Sequence, residues 1–398
     1  MIMNNRTRRL ARDESGMTYV FVGLGFMAFL SASMLAIDVG MLMTARSQAQ
    51  NSADAGALAG AAALYFDDFD DRSASGPAVT GAIAAAQANI VVGGFKDESG
   101  VVSINPADVE FLNDELGQPT RVKATVYRTT ARGNPLSTLI ASFFGMTTAG
   151  VAATATAEAA PANAVQCPLP FTIPDRWREM NDPPWDPIDD DFDAVDKKGV
   201  PVTKPDIYIG TEDTTNYTGY RAQRDQGIRV VLKADNGSKL APSMYQVWDT
   251  IGGDRGSDDV RDAIANCRST DLMGFGDTFV HKPGLQMGPV DQGIADLIAK
   301  DPDAYWDAAQ QKVVTNHPSG KSPRVRPIPL FDPYYYDTGT AGGRNASLKF
   351  VNYLGFFIEE QRGGEVIGVI VPIGGMRQGN DFGPAPEVAF PKAIRLVQ

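Results

Sequence analysis

The chain has 398 residues, 43% of them hydrophobic and 21% charged, enough for two ordinary domains with sizeable cores. Lys plus Arg total 36 against 48 Asp plus Glu, a formal charge of −12, which argues against a nucleic-acid binder because counterion release needs a basic footprint. Two Cys exclude a disulfide-dense mini-fold and a four-Cys zinc site, and two His leave little for His-based metal or proton chemistry.

Arg6, Arg8, Arg9 and Arg12 precede a run, Met17 to Ile37, without a charged side chain. As a helix that run is about 30 Å long, the thickness of a bilayer's hydrocarbon. A signal peptide carries a shorter apolar stretch of about 7–15 residues before its cleavage site, so this one reads as a retained anchor, residues 17–43. Four basic residues lie before the span and Arg46 lies after it. This asymmetry predicts a cytoplasmic basic tail, 1–16, with the remainder exported. An exported chain tolerates disulfides, so Cys167 and Cys267 are expected to be bridged across a loop of about a hundred residues.

From Thr44 to Phe66 there is no Pro and Ala is dense, so the helix is expected to continue past the membrane surface. Ala45, Ala49, Ser52, Gly56, Ala59 and Ala63 form a seam of small residues at coiled-coil spacing, where another helix could approach closely. The parallel stripe Ala53, Ala57, Gly60, Leu64 leaves open the plainer reading that Ala content alone draws such lines. Asp38 reads either as a partner-facing polar anchor or as a carboxylate relieved by interfacial water.

Asp67–Gly76 (DDFDDRSASG) is a polar break, followed by a second Ala-rich helix over Pro77–Val92. Strands are expected at Asp108–Leu112, at Arg121–Thr130, where Val122, Ala124 and Val126 alternate with polar residues, and at Gly150–Ala160. Leu136–Phe144 reads as a short amphipathic helix. The fold class is thus α+β: a helix with a small antiparallel sheet over 44–160, then a mostly β, loop-rich body over 161–398. In that body, strands are expected at Ile228–Lys233, Phe350–Glu359 and Glu365–Pro372, and a helix at Gln292–Lys300 continuing through Ala304–Lys312.

The chain lacks the Gly-x-Ser-x-Gly elbow, His-Glu-x-x-His and the Gly-x-x-x-x-Gly-Lys phosphate loop, so no enzyme activity and no cofactor are expected. Asp189, Asp191 and Asp193 have the 1, 3, 5 spacing of a calcium loop. Ala194 stands where Gly would make the sharp turn and Val200 where a bidentate Glu would close it, so a solvated acidic loop is the better reading. His281 and His317 read as surface or loop residues, and Lys321, Arg324 and Arg326 as a solvated extended loop. Tyr334–Tyr336 reads as edge-strand packing or a contact patch.

The segment from Arg8 to Leu64 resembles the N-terminal region of TadG-like proteins of the Flp (tight adherence) pilus-assembly system. The resemblance rests on Arg8-Arg9, Arg12-Asp13-Glu14, Gly16, the apolar span, Asp38-Val39-Gly40, Gln48, Gln50-Asn51, Ala53-Asp54-Ala55 and Ala57-Leu58-Ala59. Strands and helix up to Ala160 look like the rest of a pilin-related domain. Pilin-class proteins are cut after a Gly with a Glu five residues on; here Gly16 is followed at that distance by Phe21, which favours a permanent anchor. The resemblance implies a non-catalytic, single-pass structural or assembly protein of the bacterial inner membrane with a periplasmic body. Its implied partners are lipid and other pilus-assembly or pilin-like membrane proteins. The alternative is a tethered adhesive or carbohydrate-binding module on the β-rich body.

Overall fold

One helix, α1 (Ser15–Phe66), runs unbroken for 52 residues, as a stretch rich in Ala and free of Pro should. It stops at the acidic break. The Ala63 carbonyl takes the N–H groups of both Asp67 and Asp68, and the Asp68 carboxylate takes those of Asp70 and Asp71, which turns the chain. The computed structural model describes residues 15–92, 99–114, 117–188, 190–196, 198–234, 240–248, 257–267, 274–280, 286–338, 347–378 and 383–397. The chain divides into two compact units, one of Met1–Gly60, Val79–Ala157 and Leu396–Gln398, the other of Ala61–Ala78 and Glu158–Arg395.

In the first unit α2 (Pro77–Ala88) packs on α1, and small residues set the distance between them. Ser52 Oγ donates to the Ala86 carbonyl at 2.6 Å. A Cβ at Gly56 would stand 3.1 Å from both the Ala82 carbonyl and the Ala86 methyl, so only Gly fits comfortably there. The expected helix to Val92 stops earlier, where Ile90 bridges to Val101. Strands β1 (Val109–Leu112) and β2 (Arg121–Arg128) pair antiparallel, with Val109 opposite Ala124. Along β2 every second residue is buried, Val122, Ala124, Val126 and then Arg128. The Arg128 guanidinium is held by the carbonyls of Val91, Asn134 and Pro135.

The expected helix over Leu136–Phe144 is instead a hairpin. Strand β3 (Leu136–Ser137) pairs with β4 (Thr148–Ala149), and between them lies one turn of 3-10 helix, Ala141–Phe144. The reason is non-local: the Leu139, Ile140 and Ala141 N–H groups bond the distant Asp38 carboxylate and not neighbouring carbonyls. Strand β5 (Val151–Pro161) follows and lies beside β2, in the order β1, β2, β5.

The second unit is built around a barrel. Its elements are β6 (Phe171–Pro174), α3 (Ala222–Asp225), β7 (Arg229–Ala234), β8 (Met244–Val247), α4 (Ser257–Asn266), β9 (Thr278–Val280) and α5 (Met287–Ile298). They continue with β10 (Tyr305–Asp307), β11 (Lys312–Val314), β12 (Val325–Phe331), α6 (Pro333–Thr338), β13 (Ser347–Arg362), β14 (Glu365–Ile370) and β15 (Lys392–Val397). Seven strands lie in the order β12-β6-β8-β7-β14-β13-β9, and pairing of β12 with β13 closes the first six into a ring. The β12–β6 and β7–β8 pairs are parallel and the others antiparallel. Side chains fill a barrel this small. Phe171, Ile173, Val230, Leu232, Ile328, Leu330, Phe356 and Ile370 are all buried in one core. Gly355 and Gly368 sit where a Cβ would strike the Val371 and Phe357 carbonyls, so close backbone approach fixes both as Gly.

Three sequence expectations change in this unit. The helix expected through Ala304–Lys312 is the hairpin β10–β11, because the Asp307 carboxylate captures the Ala309 and Gln310 N–H groups and makes a turn. Tyr334–Tyr336 lies in α6 and not on an edge strand: Asp332 caps the Tyr335 N–H and Pro333 occupies the first helical position. Arg324 and Arg326 are buried, at 2% and 4% exposure, and not solvated, although Lys321 is exposed. Both arginines fall on the period-two face that continues through Ile328 and Leu330.

Candidate membrane anchor and assembly site

From Met17 to Ile37 none of the described side chains of α1 is buried, and Tyr19, Phe21, Phe26 and Phe29 are all exposed. A helix apolar all round is stable only when something apolar covers it. This is the one described helix long and apolar enough to cross a membrane. Immediately beyond it the environment inverts. Asp38 is 3% exposed, and its carboxylate accepts three backbone N–H groups, from Leu139 at 3.0 Å, Ile140 at 2.9 Å and Ala141 at 2.7 Å. It therefore caps the 3-10 turn, where unpaired N–H groups gather partial positive charge. Neither sequence reading of Asp38 anticipated this; a lone acid at the end of an apolar run was the only signal.

The small-residue seam is placed as follows. Ala45, Ala49, Ser52 and Gly56 are buried within the first unit, whereas Ala59 and Ala63 are only half-buried. Of the parallel stripe, Ala53, Ala57 and Gly60 are buried within the first unit too, and Leu64 is buried within the second. An α-helix of 3.6 residues per turn drifts about 20° per heptad from a 3.5 repeat, so a straight helix cannot keep one heptad seam inward. Within the first unit the two stripes read as alternatives lie side by side on one packed face, and α2 occupies it at Ser52 and Gly56.

Against this geometry, one comparison with known proteins is informative. Residues 16–63 match the family model Tad, described as putative Flp pilus-assembly TadE/G-like. The N-terminal region is TadE/G-like. The matched segment contains the apolar run, Asp38-Val39-Gly40 and the small-residue extension, the features that carry the resemblance from Gly16 onward. Arg8, Arg9, Arg12, Asp13 and Glu14 lie outside both the match and the described residues. No curated protein and no solved structure matches the chain. Together, the TadE/G-like match and the single apolar helix point to membrane anchoring.

In the second unit Cys167 and Cys267 form a disulfide, with Cα atoms 5.0 Å apart. Both cysteines have left-handed backbone, φ 58° and 54°, a conformation that costs a non-Gly residue about 1–3 kcal/mol. Arg326 holds the two ends together: Nε donates to the Cys167 carbonyl at 2.8 Å, and Nη1 and Nη2 to the Ile264 and Ala263 carbonyls at 2.8 and 3.2 Å. The latter two belong to the last turn of α4, where a cation suits the helix end. Arg324 likewise bonds the carbonyls of Asp301, Ala304, Ile358 and Glu359.

Of the calcium-spaced carboxylates, Asp189 lies outside the described residues, as does His281. Asp191 and Asp193 are half-buried, and Asp193 exchanges backbone bonds with Asp206, whose carboxylate and amide meet it. Asp175 is a fully buried carboxylate. It accepts the hydroxyls of Tyr208 and Tyr217 at 3.1 and 2.8 Å and the N–H groups of Tyr220 and Arg176 at 2.9 Å each. Burial nevertheless pushes it up to about 6. His317 Nδ1 lies 2.7 Å from Ser319 Oγ in a surface turn.

Proposed function

We propose that the protein is a non-catalytic, single-pass component of a Flp (tight adherence) pilus-assembly apparatus. In this reading it sits in the bacterial inner membrane with tail 1–16 in the cytoplasm and its body in the periplasm. The observation that carries the reading is the TadE/G-like match over residues 16–63, coinciding with a helix whose described apolar side chains stay uncovered as far as Ile37. Arg6, Arg8, Arg9 and Arg12 before the span support the orientation. The Cys167–Cys267 bridge supports an oxidising compartment for the body. Because α2 already occupies the seam at Ser52 and Gly56, contacts with other pilus-assembly or pilin-like membrane proteins fall to the exposed apolar half of α1 and to the body.

Deletion of the gene is expected to abolish piliation and surface attachment while general secretion continues. Restoration must require the span: a chain with Val22, Phe26 and Phe29 each replaced by Asp should fail to complement. Normal pili in the deletion strain would overturn the assignment.

A further inference from the structure

We infer that the hairpin tip Thr138–Thr147 is a second membrane contact, a pad seated in the headgroup layer of the leaflet from which the body emerges. The inference rests on α1 crossing the bilayer. Depth comes first. Asp38 is the residue after the last of the charge-free run, and its carboxylate pins the tip through the Leu139, Ile140 and Ala141 N–H groups. A run of about 30 Å fills the hydrocarbon, so the position after it lies at the boundary, and the tip with it.

Composition agrees. In a chain that is 21% charged, residues 133–157 contain no Asp, Glu, Lys, Arg or His. At the tip Phe143 is 81% exposed and Met146 63% exposed, and on α1 beside position 38 Leu35, Val39 and Met43 are exposed too. These side chains continue the uncovered surface of the span.

Backbone satisfaction is the third argument. A loop entering a poorly hydrated layer must pair its own peptide groups. Within the tip Phe143, Gly145 and Met146 donate to the carbonyls of Ile140, Ser142 and Ala141, and Thr138 donates to that of Thr147. The Ser142 hydroxyl closes on Leu139 and the Thr138 hydroxyl on Met146. Gly145, at φ 85°, permits the turn. Asp38 takes up the N–H groups that the 3-10 turn cannot pair, so its charge acts inward as a pin.

The test uses the full chain in phosphatidylcholine–phosphatidylglycerol vesicles, with the native cysteines left bridged and one fluorophore attached at Phe143→Cys. Nitroxide lipids labelled near the headgroup are expected to quench that fluorophore at least twofold more than one at Lys321→Cys. A label at Leu24→Cys, in the span, should be quenched by acyl-chain nitroxides. Quenching at 24 with none at 143 overturns the pad and leaves the anchor standing; absence of both overturns the anchor. Asp38→Ala should lower quenching at 143 at least twofold and leave 24 unchanged; an unchanged signal at 143 overturns the pin. Energy transfer between labels at 143 on different copies, without lipid quenching, would assign the tip to a protein contact and overturn the proposal.

Discussion

Arg326→Met probes the linkage between the buried guanidinium and the disulfide. The wild-type side chain makes three bonds to carbonyls of Cys167, Ile264 and Ala263. Hydrogen bonds to charged groups are worth about 1.5–3 kcal/mol each, so the gross loss is roughly 5–9 kcal/mol. Part of it returns, because burial pushes this guanidinium down to about 10, a desolvation cost of roughly 3 kcal/mol that Met does not bear. The expected net loss is about 2–6 kcal/mol. Removing the disulfide alone frees a loop of separation 100, worth about 4.7 kcal/mol in the chain-entropy model. Both changes release the same pair of left-handed residues, so the combined loss should fall short of the sum by at least about 1 kcal/mol. The four Trp residues, Trp177, Trp185, Trp248 and Trp306, all lie within Glu158–Arg395. Their fluorescence during urea unfolding of the full chain in detergent micelles therefore reports this unit alone. A loss below about 0.5 kcal/mol for Arg326→Met, or strict additivity with Cys167→Ser/Cys267→Ser, would refute the reasoning.

Asp175 gives a pH signature. Its folded value of about 6 lies above the unfolded value of about 4, so the folded state takes up the proton first. Stability should rise by roughly 3 kcal/mol as pH falls from 7 to 4 and flatten below, and the difference between wild type and Asp175→Asn across the scan isolates this group. Burial also raises Asp206, while backbone N–H bonds hold its neighbour Glu179 below its ordinary value, so only the subtracted curve is diagnostic. Gly56→Leu is expected to push α2 off α1 at a cost of about 1–3 kcal/mol, measured as faster hydrogen exchange of the Val79–Ala88 amides. Tyr65 is 4% exposed in the core of the second unit and bonds the Phe390 carbonyl. Tyr65→Ala should cost about 3–5 kcal/mol by the same Trp assay, and a fragment beginning at Glu158 should bind the dye ANS and lack near-ultraviolet dichroism.

What could be read from the sequence divides by the range of the forces involved. The ends of α1, the β2 alternation and the apolar β14 follow from local pattern, and each matches the observed element within a few residues. The membrane-length run and the TadE/G-like residues were equally local. The hairpin tip is not legible locally because its N–H groups are captured by a carboxylate 101–103 positions earlier. Barrel closure is hidden from the sequence for the same reason, since β12 joins β6 in parallel across more than 150 residues and no local period marks that pairing. Arg326 could have been placed: its spacing from Ile328 and Leu330 puts it on the inward face, but a guanidinium there looks solvated until its carbonyl partners are known.

The bond between Cys167 and Cys267 encloses β6, β7 and β8, while the strands that complete the ring, β12, β13 and β14, all come later in the chain. If the body is exported from its anchored end onward, the half-ring emerges with unpaired rims and must wait about sixty further residues, from Cys267 to Val325, for its first closing strand. Oxidation in that interval would lock a loop before its lid arrives. Such a chain has reason to depend on holdase chaperones and on the timing of thiol oxidases, a demand that falls on the secretory route and not on the finished molecule.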